Sequence, residues 1–340
     1  MASTDYSIPR GSLVLVTGAN GYIASHVVDI LLELGYNVRG TVRSKKPWLD
    51  HYFQTKHGIG RYESVLVPVI ETEGAMDAAM KDVAGVLHIA SDLSLNTDPN
   101  KVIPQVTAAT LNVLESARRQ DSVKRFVLTS SSTAAIIPQP NQKGVVVTED
   151  TWNDAAAEAA WSEKTPESQK AYAVYAASKT EGERQAWKWV AEKKPGFVLN
   201  TIVPNINFGK ILIPEIGGGT MGFVRNILKG DSSVIGFLPA QWFVNVRDDA
   251  RLHVAALLDP KVQSQRLFAF AEPQNWTDVL RILRKLRPEN TLIPSDPENE
   301  GRDLSEVPPS KKAEQLLKSF FGKGWTGLEE SIADGIEDLK

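Results

Sequence analysis

The chain has 340 residues, 42% of them hydrophobic and 23% charged, with a formal net charge of −3, so no broad cationic surface for nucleic acid or an anionic membrane is expected. It contains no cysteine, which excludes disulfides, thiolate metal sites and a cysteine nucleophile together. The five histidines, His26, His51, His57, His88 and His253, are scattered without the spacing of a zinc motif, so no metal is expected. This length suits one large domain, or one domain with a lobe. Residues 1–11 are polar and lack the apolar segment of a signal peptide, and no stretch approaches the ~20 apolar residues of a membrane span. A cytoplasmic location is the resulting expectation.

The first element is an apolar, partly β-branched run, Leu13 to Val16, suited to a strand buried on both faces of a parallel sheet. Gly18 and Gly21 follow at once, and then Ile23, Val27, Ile30, Leu31 and Leu34 recur at helical spacing. Strand, glycine turn and helix form the setting in which a backbone cradles a pyrophosphate against a helix N-terminus. Gly18 permits the sharp turn, Gly21 removes a Cβ from the phosphate path, and Ala24 takes the place of a third glycine where helix and strand pack closely. Asn20, Tyr22 and Ile23 belong to the same turn and are counted as cofactor contacts. The alternative is an ordinary tight strand-to-helix turn.

A second strand is expected at residues 37–42. Dinucleotide folds that prefer NAD usually place an acid here, about 20 residues past the glycines, to hold the adenosine ribose. None is present; the segment carries Arg39, Arg43, Lys45 and Lys46 instead. A guanidinium holds a 2′-phosphate through its planar fork, so NADP(H) is the expected cofactor, with Arg43 as the main contact and Arg39 and Lys45 as helpers. A solvated basic loop is the alternative reading of these charges.

A third strand is expected at 65–70 and a fourth at 85–91, whose small Ala90 and Ser91 would let a cofactor approach, with His88 packed inside the run. A helix at about 104–119 leads to a fifth strand, 125–128, ending in Thr129-Ser130-Ser131-Ser132-Thr133 at the sheet edge where ligands bind. Farther along, Tyr175 and Lys179 stand four apart, on one face of a helix expected at 174–190. An ammonium so placed stabilises a phenolate and draws down a tyrosine pKa of ~10. Tyr52 and Lys56 repeat the spacing on the adenosine side without a serine strand end, and are read as coincidence.

With these residues the chain resembles the extended short-chain dehydrogenases/reductases, in their dihydroflavonol-reductase-like branch, and within it the yeast and fungal NADPH-dependent aldehyde and carbonyl reductases. The matching stretches are residues 16–26, 38–44, 124–131 and 174–183, and less sharply 203–209 and 238–253. The resemblance implies a catalytic set of Ser131, Tyr175 and Lys179. It also implies that Pro204 and Asn205, after a sixth strand at 199–203, pass the nicotinamide carboxamide. It further implies that the stretch 236–243 lines the substrate site through Leu238, Gln241 and Trp242; by composition alone such an aromatic cluster is more often core. Many relatives carry an acid after the third strand, where this chain reads Val67-Pro68-Val69-Ile70.

The connection 138–173, with Trp152 and Trp161, is a candidate lid. Arg247-Asp248-Asp249 looks like a structural cap, and helices at about 276–286 and 311–320 look like scaffold. The expected fold is an α/β Rossmann doubly wound parallel sheet at residues 1–203, with a smaller, mostly helical substrate lobe at 204–340 from which 241–258 returns to the sheet. The implied activity is NADPH-dependent reduction of aldehydes and ketones, oxo esters included, with Tyr175 as proton donor. The partner would be a small carbonyl compound, neither nucleic acid nor membrane, and the chain a monomer or homodimer. The rivals are a nucleotide-sugar epimerase or dehydratase and a non-catalytic NADP-binding sensor.

Overall fold

The computed structural model describes residues 6–339. In chain order the first half comprises β1 (Leu13–Val16), α1 (Tyr22–Glu33), β2 (Asn37–Val42), α2 (Pro47–His57), β3 (Tyr62–Leu66), β4 (Val83–His88), α3 (Pro99–Arg118), β5 (Arg125–Thr129) and a single 3₁₀ turn, Ser132–Ala134. The second half comprises α4 (Asp154–Trp161), α5 (Glu167–Lys193), β6 (Val198–Pro204), β7 (Ile206–Phe208), α6 (Thr220–Ile227), α7 (Ser233–Phe237), β8 (Gln241–Asn245), α8 (Val246–Leu258), β9 (Arg266–Ala269), β10 (Glu272–Gln274), α9 (Trp276–Leu286), α10 (Pro308–Phe321) and α11 (Leu328–Gly335).

Seven parallel strands form the main sheet in the order β3-β2-β1-β4-β5-β6-β9. Alternation of side chains along each strand divides the core. Val14, Val16, Leu87 and Val127 join the apolar cluster on one face, while Leu15, Val86, Phe126 and Leu128 join the cluster on the other. Helices cover both faces, so the strands read as nearly continuous apolar runs. The chain leaves β1 for β2 on one side and later places β4 on the other. That reversal opens a crevice at the carboxyl ends of β1 and β4. A second sheet, β10-β8-β7, belongs to the later half of the chain, but α8 packs beside α1 and β9 completes the main sheet. Among the described residues no helix is long and apolar enough to cross a membrane, and no cluster of side chains could hold a metal ion.

Several boundaries differ from those expected, four of them with a clear local setting. β3 ends at Leu66, before the apolar run 65–70 is complete, because Pro68 has no N–H for the ladder; Val67 N–H to Val42 O, at 3.0 Å, is the last rung. β4 stops at His88 because the Thr17 hydroxyl takes over, accepting from the N–H groups of Ile89 and Ala90, both at 3.0 Å. α3 starts at Pro99, five residues early, where the Asp98 carboxylate accepts from Asn100 N–H at 3.0 Å and Pro99 needs no partner; Pro104 then sits inside the helix. α5 starts at Glu167, seven residues early, and takes up part of the expected lid. The rest of that connection is anchored: α4 packs on α5, and Val147 N–H bonds Glu306 O at 2.8 Å. The expected cap at 247–249 lies two residues earlier: Asn245 caps α8 by accepting from Arg247 N–H at 2.8 Å, and 247–249 fall in the first turn of the helix.

Candidate active site

The glycine turn sits in the crevice between β1 and β4. Gly18 has φ +65°, and a Cβ there would lie 3.1 Å from the Ala90 Cβ, so the turn is pressed against the end of β4 and only glycine fits both constraints. Gly21 is the N-cap of α1 and no side chain caps that helix, leaving its first N–H groups to face the crevice without a protein partner. Ala24 is buried where helix meets strand. Asn20 and Ile23 lie in the turn and first helical turn. Tyr22 contributes differently from expectation: its hydroxyl is buried and donates to Gly209 O at 2.7 Å, so only its main chain is left for a phosphate. Burial pushes its phenol pKa well up, against a small opposing effect of the Arg225 charge.

The basic segment resolves into two kinds of arginine. Arg39 lies inside β2, where its guanidinium bonds Glu63 at 2.6 Å and the carbonyls of Ala79 and Lys81 at 2.9 and 2.8 Å. Three of its five N–H donors are thus held by the scaffold, on β3 and on carbonyls just before β4, which ties this side chain down where Arg43 is left loose. Arg43 stands just past the carboxyl end of β2, exposed and without an ion-pair partner among the described residues, and Lys45 is exposed beside it. The other Tyr/Lys pair is structural: Lys56 Nζ donates to both oxygens of buried Asp29 at 2.7 and 2.8 Å.

Three strand ends and one helix build the chemical part of the site. Ser131 follows β5 and caps the 3₁₀ turn, its Oγ accepting from Thr133 N–H at 3.3 Å and Thr133 Oγ1 at 3.0 Å. Both lone pairs are engaged, so this hydroxyl can act only as a donor, through its single proton. Asn153 holds the turn from outside, giving Nδ2–H to Thr133 O at 2.7 Å while its Oδ1 caps α4. Tyr175 lies half-buried on the α5 face directed at the serine. Burial raises its phenol pKa, and a hydrogen bond from Ser131 partly offsets the rise. Lys179, one turn later, is also buried, with Nζ 3.4 Å from Thr129 O. Desolvation draws its pKa down to about 8, and the charge of Glu183 acts in the opposite sense. In the protein alone the Tyr175 phenol pKa thus stands above its ordinary value, with burial outweighing what lowers it. Burial likewise lowers the His88 pKa to about 3, with a further push from Lys179, so the imidazole is a neutral packing group bonded to Thr17 Oγ1 at 2.9 Å.

A small cavity reaches from this cluster toward β4, lined by His88, Ala90, Ser91, Ser130, Lys179 and Glu183 among others. Two polar atoms near the carboxyl edge are buried without a partner, Ser91 Oγ and Asn205 Nδ2. Pro204 ends β6, and Asn205 Oδ1 accepts from Ile206 N–H at 2.8 Å, which leaves its amide N–H₂ directed elsewhere. An uncapped helix start, a glycine cradle, a free arginine at the β2 end and unmet donors at β4 and β6 together fit a dinucleotide carrying an extra phosphate.

The 236–243 wall is less uniform than composition suggests. Leu238 is buried in the main core, its carbonyl accepting from Trp276 Nε1 at 2.8 Å. The Trp242 indole packs on Phe270 and donates to Ser305 Oγ at 3.1 Å. Gln241 is buried, giving Nε2–H to Pro239 O at 3.1 Å. Phe237, in contrast, is 38% exposed and meets Tyr172 edge to face at 6.2 Å. Tyr172 is one turn before Tyr175, and burial together with that neighbour raises its pKa.

Sequence reasoning passed over Thr17, Glu183 and Arg266. Thr17 is signalled by its place just before the glycine turn, and Glu183 by falling four residues after Lys179; nothing local marks Arg266.

The chain matches a family model described as the NAD dependent epimerase/dehydratase family over residues 14–269. It is 45% identical to "Ketoreductase nvfG" of Aspergillus novofumigatus over 340 residues, covering 99% of each chain. It is 42% identical to "Aldehyde reductase 2" of Sporidiobolus salmonicolor over 339 residues, covering 98% of each. Among solved structures it superimposes on yeast methylglyoxal/isovaleraldehyde reductase Gre2 complexed with NADPH, with a TM-score of 0.80 and 26% identity, over 96% of this chain and 98% of the other.

Proposed function

The chain belongs to the NAD dependent epimerase/dehydratase family, and from that premise we propose that it is an NADPH-dependent reductase of aldehydes and ketones. The observation that carries the reading is the set of buried Ser131 and Lys179 with half-buried Tyr175, in which one hydroxyl has only a proton to give and the neighbouring phenol has its pKa raised. The ketoreductase and aldehyde reductase names of its relatives point the same way, and the NADPH complex of a structural neighbour supports the choice of cofactor.

The glycine turn and the start of α1 would hold the pyrophosphate, Arg43 the 2′-phosphate, and Ser91, Pro204 and Asn205 the nicotinamide end. Bound there, a reduced nicotinamide supplies a hydride to the carbonyl carbon. Ser131 donates a hydrogen bond to the carbonyl oxygen and orients it. Tyr175 gives its phenolic proton to that oxygen as negative charge builds, so an alcohol forms and a phenolate remains. Lys179 grips the ribose hydroxyls and stabilises the phenolate by its charge. Proton transfer by a positioned acid is typically worth roughly 10²–10⁴-fold.

The test is consumption of NADPH, with NADH in parallel, against aldehydes, aryl ketones and 3-oxo esters, for wild type and Tyr175→Phe. The expected outcome is turnover with NADPH and little with NADH. The Tyr175→Phe variant should lose about 10²–10⁴-fold in kcat while NADPH binding is nearly unchanged. Near-normal turnover in that variant would remove Tyr175 as the acid. Silence across the panel together with tightly retained NAD would instead favour an enzyme that oxidises and re-reduces one substrate, as epimerases do.

A further inference from the structure

Behind the reacting groups lies a layer of buried polar side chains centred on Glu183, one helical turn past Lys179 and two past Tyr175 on α5. Its carboxylate has no exposed surface. Oε2 accepts from Ser130 Oγ at 2.7 Å and Arg266 Nη2 at 3.1 Å. Oε1 accepts from Thr201 Oγ1 at 2.7 Å, Arg266 Nε at 2.8 Å and Trp187 Nε1 at 3.2 Å. Arg266, on β9, donates from Nη1 to the carbonyls of Glu149 and Thr151 at 2.6 and 2.8 Å, and its Cζ lies 4.0 Å over the Trp152 ring. Buried ion pairs are often replaceable by apolar residues without loss of stability. Five donors gathered on one carboxylate beside the reacting groups therefore ask for a reason other than stability.

We infer that Glu183, clamped by Arg266, is a positioning residue: it sets the strand end that carries Ser131 and supplies the counter-charge of the Lys179 ammonium. The inference rests on the reading of Ser131, Tyr175 and Lys179 given above. Ser130, bonded to Glu183, is the chain neighbour of Ser131, so this carboxylate holds the helix bearing Tyr175 and Lys179 in register with the strand end bearing the serine. Lys179 and Glu183 line the same small cavity, where little water screens them. The groups facing Lys179 are His88 from β4, Thr129 and Ser130 from β5, the uncharged Val106 and Thr110 from α3, and Tyr175 and Glu183 along α5. Arg266 reaches the space only through Glu183. Among the described residues lining the cavity, Glu183 is the sole acid. Its charge opposes the fall of the Lys179 pKa that burial causes, so without it the lysine surrenders its proton at lower pH.

Glu183→Gln removes the charge at constant volume. It leaves Arg266 without a counter-ion, so Glu183→Gln/Arg266→Met, which removes both charges, is to be measured beside it in case the single variant does not fold. For both, kcat/KM of carbonyl reduction and NADPH affinity by fluorescence titration are followed from about pH 6 to about pH 10, with wild type as reference. The expected result is an alkaline limb displaced downward by about one pH unit and kcat lowered roughly tenfold, with KM for the carbonyl compound little changed. NADPH affinity should fall along the same displaced limb. A folded variant whose limb stays in place overturns the inference, whether or not its melting temperature drops, because a purely structural role would cost stability without moving a titration. If wild type turns over no carbonyl compound, the reading of the active site fails instead, and the pH profile of NADPH affinity still decides what Glu183 does to Lys179.

Discussion

At the scale of single residues the site depends on which polar groups are already spoken for. Ser131 has accepted twice and can only donate, and Arg39 has three of its five donors tied to Glu63 and two carbonyls. Arg43, four residues on, is exposed and unpaired among the described residues. A charge-assisted hydrogen bond is worth about 1.5–3 kcal/mol. Arg43→Glu should therefore weaken NADPH binding by at least about tenfold, more once repulsion is added, and leave NADH almost unaffected. Fluorescence titration with both nucleotides checks this, and equal losses would remove Arg43 from the 2′-phosphate site. The basic segment was legible in the sequence; which of its arginines is free was not, since that depends on Glu63 across the neighbouring strand and on carbonyls 40 and 42 residues away.

At the scale of elements, one hydroxyl ties the end of β1 to the end of β4 at the floor of the crevice. Thr17 ends β1 and accepts from Ile89 and Ala90 N–H at the end of β4, leaving its own proton for His88 Nδ1. Thr17→Val keeps the shape of the side chain, strands two main-chain N–H groups and removes the imidazole's partner. An unsatisfied buried polar group costs about 1–3 kcal/mol, so a loss of roughly 2–5 kcal/mol is expected in denaturant unfolding, with NADPH affinity reduced because Ala90 is no longer held against Gly18. A change within about 0.5 kcal/mol, the range of an ordinary surface substitution, would show that the strand ends hold themselves. The start of α5 illustrates the opposite case. Its Tyr/Lys face follows from helical spacing, but its first two turns, rich in polar residues, owe their helix to packing of α5 on α4, where Lys170 Nζ donates to Ser162 O at 2.9 Å.

At the scale of the molecule, two histidines are buried in the neutral form. His26, on α1, bonds Lys210 O at 2.8 Å and ties the first helix to the later half of the chain; burial lowers its pKa to about 4. Burial takes His88 to about 3. In the unfolded chain both bind protons near pH 6.5. Below that pH the unfolded state gains protons that the folded state refuses until about pH 4 and about pH 3, so stability falls with pH across this window. For Asp29, burial favours the neutral acid, but hydrogen bonds from Lys56 and His57 outweigh it and lower the pKa. Its contribution is present above the unfolded carboxyl value and is lost as pH falls through the folded one, which adds to the same trend. Calorimetry should record a melting temperature that declines steadily from about pH 6.5 to about pH 4, equivalent to a loss on the order of a few kcal/mol. A flat profile would mean that these imidazoles are protonated in the folded state.

What the order of residues determined by itself is whatever depends on near neighbours. The glycine turn, the apolar strands, the Tyr175/Lys179 face and the missing acid after β2 all repeat at short, regular spacing, and each lies where that spacing puts it. Packing decided the rest. β3 and β4 end where partners for main-chain N–H groups run out or are replaced. The Trp242 indole faces Phe270 and Ser305, and within 236–243 it is Phe237 that meets Tyr172 on α5. Glu183 and Arg266 meet across 83 residues, and Thr129 and His253 across 124. Such pairs leave no periodic trace, because a buried charge needs a counter-charge in space and is indifferent to its distance along the chain.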